Sequence, residues 1–385
     1  MPTMRPAGPG EFSRRALLNG KMDLLEAEGL ADLLEADTAA QRRMAIRQMS
    51  GLHSNLLNGW RQDLIGCLAH CEAFIDFGED DEIGDEVFQG SRHKAAVVAE
   101  QIEASIHNRC GEVIRLGARA VLVGPPNAGK STLLNILAKR PAAIVSPIPG
   151  TTRDVVEVRL DLGGLPVLMK DTAGLRSSTL DMIEREGIRK AISAWHSAHV
   201  RIVVLEADRG LKQLQDVIDI VHAPPDVEGE QARQYGLEMH SDGEPGPPNI
   251  QETIVLLNKE DMLTDAKMQS RVSQLAIDQL GVAHTCLISC QSGRGLDEAM
   301  ACLQSSVERL LADGSEGESV LNRPRHRYHL EDCAKVLRRF IHSKGTVDMA
   351  AEDLRIAIRH LGAITGAVGV EEMLDTLFHD FCIGK

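Results

Sequence analysis

Eight residues near the middle of the sequence have the types and spacing of a phosphate-binding loop. Gly124 to Ser131 read GPPNAGKS and fit the pattern G-x-x-x-x-G-K-[ST]. Gly124 and Gly129 allow a sharp turn in which backbone N–H groups point at phosphates, while Lys130 reaches the outer phosphates and Ser131 offers a hydroxyl to Mg²⁺. The pattern predicts a nucleoside triphosphate site. We expect further contacts from three neighbours: Asn127, Ala128 and Thr132.

The elements on either side of this loop are those that would position it. Ala118 to Val123 (ARAVLV) predict a short buried strand, and Thr132 to Lys139 (TLLNILAK) have apolar residues at helical spacing. A helix beginning at Ser131 would add the positive end of its dipole to the phosphate site. A glycine-rich turn that merely caps a helix is the alternative, and this flanking context disfavours it.

A second motif, DTAG at Asp171, Thr172, Ala173 and Gly174, follows a predicted strand over Pro166 to Lys170. The Asp171 carboxylate would emerge at the end of that strand and hold Mg²⁺ through water, while the N–H of Gly174 senses the γ-phosphate. Alone, D-x-x-G usually marks a turn. At this distance after a phosphate loop it favours a nucleotide switch.

A third motif, NKED from Asn258 to Asp261, follows the apolar strand Ile254 to Leu257 and predicts selection of guanine. The Asp261 carboxylate can accept hydrogen bonds from guanine N1–H and the 2-amino group, and Asn258 can bond the opposite edge; Lys259 belongs to the same loop. Adenine lacks that donor pair, and such mismatches discriminate by ~10⁴ or more. Ser289, after the next predicted strand, is a weaker candidate for the last base-contacting loop.

The segment SPIPGTTRD, Ser146 to Asp154, lies between the first two motifs. A threonine hydroxyl there could complete the Mg²⁺ shell when the loop closes; we select Thr152, with Thr151 as its neighbour. This predicts an order–disorder switch driven by the γ-phosphate.

The sequence contains two kinds of secondary-structure pattern. Helical patterns run from Lys21 to about Arg115 and from Arg327 to Phe381, whereas short β-rich runs alternate with helices between Ala118 and Ala312. We therefore predict an α/β P-loop GTPase (Ras-like) domain inserted into a discontinuous all-α helical domain. The expected boundaries are 1–20, 21–115, 116–313 and 318–385, with a loop or helix connection at Phe77 to Gly90 and a surface insertion at His222 to Asn249.

Composition excludes several classes of function. The formal charge of −14 over 385 residues argues against a broad basic surface that wraps nucleic acid, although Arg42, Arg43 and Arg47 form a local patch that could touch phosphate. No apolar run is long enough for a transmembrane helix, and no leader is visible in the first residues. The eight cysteines lack zinc spacing and are expected to be reduced, packed thiols.

With these residues in hand, the sequence resembles the MnmE/TrmE family of tRNA-modifying GTPases, in particular its mitochondrial, animal-type members. The resemblance covers nearly the whole chain. Five landmarks carry it: GEFSRRALLNGKMDL at Gly10 to Leu24, FGEDDEI, GPPNAGKS, PGTTRDV at Pro149 to Val155, and the terminal FCIGK at Phe381 to Lys385.

The resemblance implies a potassium-stimulated GTPase whose G domains dimerise across their nucleotide faces. A K⁺ ion would take the place of an arginine finger, a position worth ~10³ to 10⁵ in rate in other GTPases. The implied Mg²⁺ ligands are Ser131 and Thr152, and the implied K⁺ ligands are Asn127, Ser146, Ile148 and Thr151. The alternative for Asn127 is an amide that only stabilises the loop.

The residue that orients the attacking water is less determined. Ras-type enzymes place a glutamine just after D-x-x-G, but Leu175 stands there and cannot fill that role. The resemblance implies a glutamate further along, which matches Glu184; a segment one residue longer than usual leaves Asp181 as the alternative. Either could be a solvated helix charge. Arg176 is a further candidate that would stabilise the closed switch.

The family works with an MnmG-like, FAD-dependent partner to modify C5 of the wobble uridine of tRNA. The resemblance implies a one-carbon unit from 5,10-methylene- or 5-formyl-tetrahydrofolate, with Lys21 and Lys385 associated with the folate and Cys382 as a nearby thiol. Met1 begins just before the final landmark of the folate domain, so we expect most of that domain, and the dimerisation it supports, to be missing. Mitochondrial localisation is implied. The alternatives are a truncated regulatory GTPase and a ribosome-assembly GTPase switch.

Overall fold

The computed structural model describes residues 5–77, 84–144, 157–171, 191–221, 252–263, 267–282, 284–312, 322–343 and 346–366. The chain divides into two compact units. One unit joins Met1–Arg115 to Gly314–Lys385, and the other is Leu116–Asp313. The two outer segments of the sequence therefore fold together, with the middle segment between them as a separate body.

The first unit is helical throughout its described part. Its helices are α1 Glu11–Leu18, α2 Leu24–Leu34, α3 Ala39–Met49, α4 Leu52–Phe77, α5 Gly84–His107, α6 Cys110–Leu116 and, after the inserted unit, two more that we number α11 Pro324–His342 and α12 Val347–Thr365. Capping boxes fix two helix starts, Asp23 with Glu26 before α2 and Thr38 with Gln41 before α3. The main core is shared by α4, α5, α11 and α12, with Leu64, Ile102 and Phe340 fully buried within it.

The second unit alternates strands and helices. Its elements in chain order are β1 Ala118–Val123, α7 Lys130–Ala138, β2 Ala143–Ile144, β3 Glu157–Leu162, β4 Leu165–Asp171, β5 Val200–Glu206, α8 Gly210–Val221, β6 Glu252–Asn258, α9 Met268–Leu280, β7 His284–Leu287 and α10 Leu296–Ala312. Residues 191–197 form a further helical segment.

The seven strands form one sheet in the order β2-β3-β4-β1-β5-β6-β7. β4, β1, β5, β6 and β7 run parallel to one another, while β3 is antiparallel to both β2 and β4. The central strands are almost wholly buried, which explains why β1, β5 and β6 read as continuous apolar runs. The predicted fold class, an α/β domain inserted into an all-α one, is confirmed.

Several local expectations need correction. Phe77 to Gly90 was expected to be a connection, but α5 already begins at Gly84, so residues 84–90 are helical. The short edge strand Ala143–Ile144 was not expected; it pairs with Arg159 and Leu160. The insertion from His222 to Asn249 and the linker after residue 313 lie outside the described residues.

No helix in the described ranges is both long and apolar enough to cross a membrane.

Candidate functional site

The sequence motifs gather at one edge of the sheet. The phosphate loop follows β1, Asp171 ends β4, Asn258 ends β6, and Ser289 comes two residues after β7. In the registers of the parallel ladders, Leu122 pairs with Asp171 and Glu206 pairs with Asn258. Ligands of open parallel sheets bind outside the carboxyl ends of the strands, which is where these side chains lie.

Two glycines of the phosphate loop occupy positions that a side chain cannot share. Gly124 has φ of +153°, and a Cβ there would lie 2.1 Å from the carbonyl oxygen of Val204. Gly129 has φ of +101°, and its Cβ would lie 2.2 Å from Nδ2 of Asn258. The first glycine lets the loop pass against β5, and the second brings the start of α7 against the loop after β6.

Lys130 is the first residue of α7, with Gly129 as its N-cap. Its Nζ donates to the carbonyl oxygens of Gly124 and Pro125, both 2.9 Å away, so the side chain curls back over the loop. Burial lowers the pKa of Lys130, and the negative charge of Asp171 opposes that shift. The ammonium is therefore held in a partly dehydrated position beside the backbone of the loop, where a phosphate oxygen would be a stronger partner than a carbonyl.

Ser131 and Asp171 meet across the site. The hydroxyl of Ser131 donates to Oδ2 of Asp171 at 2.5 Å. The other carboxylate oxygen, Oδ1, is buried and has no hydrogen-bond partner among the described residues. A hydroxyl and a carboxylate with a spare buried oxygen form the hard oxygen donor set that suits Mg²⁺, so these residues fit the ion.

Asn258 connects the phosphate loop to the loops at the ends of β6 and β7. Its side chain is 3% exposed; Nδ2 donates to the carbonyl oxygen of Ala128 at 2.8 Å, and Oδ1 accepts from the N–H of Cys290 at 3.0 Å. One amide therefore joins the phosphate loop, the end of β6 and the loop after β7. Asn258 therefore links these loops through hydrogen bonds to protein, and its contact to the base stays a prediction.

Lys259 and Glu206 form an ion pair that sequence reasoning missed. Lys259 has a left-handed backbone with φ of +65°, and its Nζ donates to Glu206 at the end of β5. The backbone N–H of Glu206 in turn donates to Oε1 of Gln213 at 2.8 Å. The sequence did carry one signal for this pair: Glu206 is a charged residue at the end of a buried strand, which is where the functional side chains of parallel sheets lie.

Asp261 lies on the surface in the short 3₁₀ turn Glu260–Met262, where its carboxylate is open to a ligand. The hydroxyl of Ser289 donates to Oδ1 of Asp261 at 2.7 Å, and the N–H of Ser292 donates to the same hydroxyl at 3.2 Å. The buried Ser289 thus orients the carboxylate while leaving Oδ2 free of protein hydrogen bonds within the described residues.

The remaining predicted residues are distributed as follows. Asn127 is exposed with φ of +62°, Ala128 is buried, and Thr132 is exposed on α7. Lys21 is exposed after α1. The other predicted residues lie outside the described part of the chain: Ser146, Ile148, Thr151, Thr152, Thr172, Ala173, Gly174, Arg176, Asp181, Glu184, Cys382 and Lys385.

A family model described as the MnmE helical domain matches residues 24–382. The chain belongs to the MnmE family. The resemblance noted in the sequence is thereby confirmed, and relatives in both eukaryotes and bacteria agree with it.

Three relatives show how much of the MnmE family pattern the chain covers. A zebrafish (Danio rerio) protein named 5-taurinomethyluridine-[tRNA] synthase subunit GTPB3, mitochondrial, is 43% identical over 100% of this chain and 74% of its own length. Its human counterpart is 39% identical over 100% of this chain and 73% of its own. The tRNA modification GTPase MnmE of Paramagnetospirillum magneticum is 43% identical over 99% of this chain and 77% of its own.

Solved structures of GTP-binding proteins also resemble this member of the MnmE family. Era from Aquifex aeolicus bound to GDP and AlF4⁻ is 22% identical, with a TM-score of 0.35 over 60% of this chain and 69% of its own. The G domain of the FeoB iron transporter of T. maritima is 22% identical, with a TM-score of 0.31 over 49% of this chain and 98% of its own.

Proposed function

We propose that the chain hydrolyses GTP and that this hydrolysis serves the modification of tRNA. The observation that carries the proposal is the placement of Asp171, Asn258 and Asp261 at one edge of a parallel sheet, around a loop of the G-x-x-x-x-G-K-[ST] type. Each motif alone is weak, whereas their arrangement around the ends of neighbouring parallel strands supports a nucleotide site.

The described residues divide the work of binding GTP. Lys130 would exchange its two carbonyl partners for β- and γ-phosphate oxygens, since anionic oxygens are the stronger acceptors. Asp261 would accept the N1–H and 2-amino hydrogens of guanine. Ser131 and Asp171 would hold Mg²⁺, Asp171 through water; the ion supplies charge neutralisation at the phosphates.

Hydrolysis requires residues beyond those described. We assign orientation of the attacking water to Glu184, with Asp181 as the alternative, and stabilisation of the closed switch to Arg176. Thr152 would complete the Mg²⁺ shell. Asn127, exposed within the phosphate loop, would contribute to a K⁺ site together with Ser146, Ile148 and Thr151, and the G domains of two copies would dimerise around it.

The tRNA role is supported by the names of the relatives, which are tRNA modification GTPases and subunits of a taurinomethyluridine-[tRNA] synthase. We propose that the chain acts with an MnmG-like, FAD-dependent protein on C5 of the wobble uridine. We also propose folate use, with Lys21, Lys385 and Cys382 near the bound folate. Relatives named mitochondrial suggest a mitochondrial location.

The test of this function is GTP hydrolysis by the purified chain in KCl and in NaCl at equal ionic strength. We expect turnover in KCl to exceed turnover in NaCl at least tenfold, and Asn127→Ala to abolish the difference. Glu184→Ala and Asp181→Ala, measured side by side, assign the water-positioning role to the variant with the lower rate in KCl. Equal and feeble rates in both salts would refute the ion-assisted mechanism.

A further inference from the structure

A stretch of the helical unit departs from the acidic character of the chain. Residues 38–62 contain four arginines and no aspartate or glutamate, although the whole sequence has 56 acidic residues among 385 and a charge of −14. The stretch covers α3 and the first turns of α4. It is a local concentration of positive charge in a chain whose net charge is negative.

Three of these arginines, Arg42, Arg43 and Arg47, are exposed on α3 and are here called the arginine face. None of them makes an ion pair or a side-chain hydrogen bond with any described residue. Two arginines elsewhere in this unit do have acidic partners: Arg338 pairs with Glu103 and Arg355 pairs with Glu72. The charge of the arginine face is therefore not neutralised within the described fold.

The helix that carries the arginine face is firmly held. On its buried side, Nε2 of Gln48 donates to the carbonyl oxygen of Leu25 at 2.8 Å, and Nδ2 of Asn322 donates to Oε1 of Gln48. The capping box at Thr38 fixes the start of α3. The arginines thus project from a rigid support, so little ordering of the backbone is required when a ligand binds.

Neutral polar side chains follow the arginine face closely in sequence. Asn55 and Asn58 are exposed on the first turns of α4, whereas the hydroxyl of the exposed Ser50 already donates to the carbonyl oxygen of Arg47 at 2.6 Å. Arginine guanidiniums with hydroxyl and amide donors at their edge are the groups that most often contact the sugar–phosphate backbone of nucleic acids. Carboxylates of an acidic protein accept hydrogen bonds from the same groups, so the choice of tRNA as the occupant follows from the proposed function.

We propose that the arginine face of α3 is a contact surface for the phosphate backbone of tRNA. The inference rests on the proposed function, which requires the chain to take part in holding a polyanionic substrate. The contact positions the tRNA and is independent of its sequence, because phosphates carry no base information. Each neutralised phosphate adds about 0.9 to the slope of log affinity against log salt concentration on duplex nucleic acid.

The test measures binding of a fluorescein-labelled tRNA transcript to the full chain by anisotropy, from low to high NaCl. The variant is Arg42→Gln/Arg43→Gln/Arg47→Gln, since glutamine keeps helix propensity. The matched control, Arg338→Gln/Arg355→Gln/Arg359→Gln, removes the same charge from the same unit. We expect the variant to bind roughly 10- to 100-fold more weakly at moderate salt, with a salt slope lower by about 2 to 3, while the control stays within threefold of the unmodified chain.

Three further readouts accompany the tRNA titration of each sample: far-UV circular dichroism, GTP hydrolysis in KCl, and binding of the flavoprotein partner. Far-UV circular dichroism must be unchanged, and GTP hydrolysis in KCl is measured in every sample, so that a failed GTPase proposal is recognised separately from a failed tRNA surface. Equal tRNA binding by the variant and the unmodified chain overturns the inference, as does a weakening of equal size in the control. Retained tRNA binding with lost binding of the flavoprotein partner would assign the arginine face to that protein instead.

Discussion

The side-chain amide of Asn258 donates a hydrogen bond to the backbone carbonyl of Ala128, with 2.8 Å between Nδ2 and O, across 130 positions of sequence. The same side chain accepts from the N–H of Cys290. The loop that should bind phosphate and the loops that should bind guanine are therefore joined by hydrogen bonds through one side chain. We expect that a change at the guanine end alters the geometry of the phosphate loop.

Replacing Asn258 tests this coupling. Asn258→Ala leaves the Ala128 carbonyl and the Cys290 N–H without this partner, at a cost of roughly 1–3 kcal/mol for each buried group. Asn258→Asp keeps an acceptor for Cys290 but loses the donor and places a carboxylate against a carbonyl. We expect both variants to weaken GTP binding at least tenfold, measured by calorimetry.

The control for Asn258 is Asn135→Ala, an exposed asparagine on α7 of the same unit. It should leave both GTP affinity and the denaturation midpoint unchanged. If Asn258→Asp binds GTP as tightly as the unmodified chain, the donated hydrogen bond to Ala128 contributes nothing to the site.

A glycine pair separates steric conflict from backbone strain. Gly129→Ala introduces a Cβ 2.2 Å from Nδ2 of Asn258 at φ of +101°, whereas Gly281→Ala introduces one at φ of +58° with nothing within 4 Å. We expect Gly281→Ala to cost about 1 kcal/mol of stability and to leave nucleotide binding intact. Gly129→Ala should lower GTP affinity by more than tenfold in the same titration, and equal behaviour of the two variants would contradict the steric argument.

The sequence located the motifs well because their chemistry is local. The phosphate loop, DTAG and NKED each need fixed residue types at fixed spacing, and buried parallel strands reveal themselves as apolar runs. The bounds of β1, predicted at Ala118 to Val123, agree with the structure, and the predicted bounds of β4 and β6 differ from the observed ones by one or two residues at their ends. Helix and strand ends fray, so such differences carry no meaning.

What the sequence could not reveal depends on distant partners. The ion pair between Lys259 and Glu206 joins neighbouring strands that are separated by 53 positions, and only the strand order brings these residues together. The helical start at Gly84 was missed because glycines and clustered acids normally favour a loop. There α5 continues a packed helix, and tertiary burial of its later turns outweighs the local preference.

Asp261→Asn tests the assignment of the base. Xanthine has a carbonyl oxygen where guanine has its 2-amino group, so an amide that can donate should favour xanthosine triphosphate over GTP. The Oδ1 that accepts from Ser289 is retained, and the fold should be unaffected. We expect GTP affinity to fall by ~10² or more, with hydrolysis of xanthosine triphosphate gained. Asp278→Asn, which removes the same charge from α9, should change neither, and a GTP preference that survives Asp261→Asn would remove the residue from the base site.

A buried ionic cluster in the helical unit leads to a prediction about how stability depends on pH. His326 is fully buried and shares Glu28 with Arg325, at 2.9 Å and 3.0 Å. Burial alone would raise the pKa of Glu28, but the charges of His326, Arg325 and Arg323 outweigh it and hold the pKa at about 2. Burial also lowers the pKa of His326 itself, so the two arginines are the partners that stay charged at neutral pH. The cluster ties α2 to the start of α11, which are nearly 300 positions apart in sequence.

Because the folded pKa of Glu28 is depressed, its stabilising contribution is present above the unfolded value near 4.5 and is lost as the pH falls toward 2. A depression of this kind corresponds to a stabilisation on the order of a few kcal/mol at neutral pH, which is lost as the pH falls from about 4.5 toward 2. Glu28→Gln should therefore destabilise the helical unit at pH 7 in urea titrations, with the gap to the unmodified chain narrowing as pH falls. Glu35→Gln, exposed at the end of the same helix, should have little effect at any pH. A gap for Glu28→Gln that stays constant from pH 7 to pH 3 would show that packing of the side chain, and not its charge, stabilises the junction of α2 and α11.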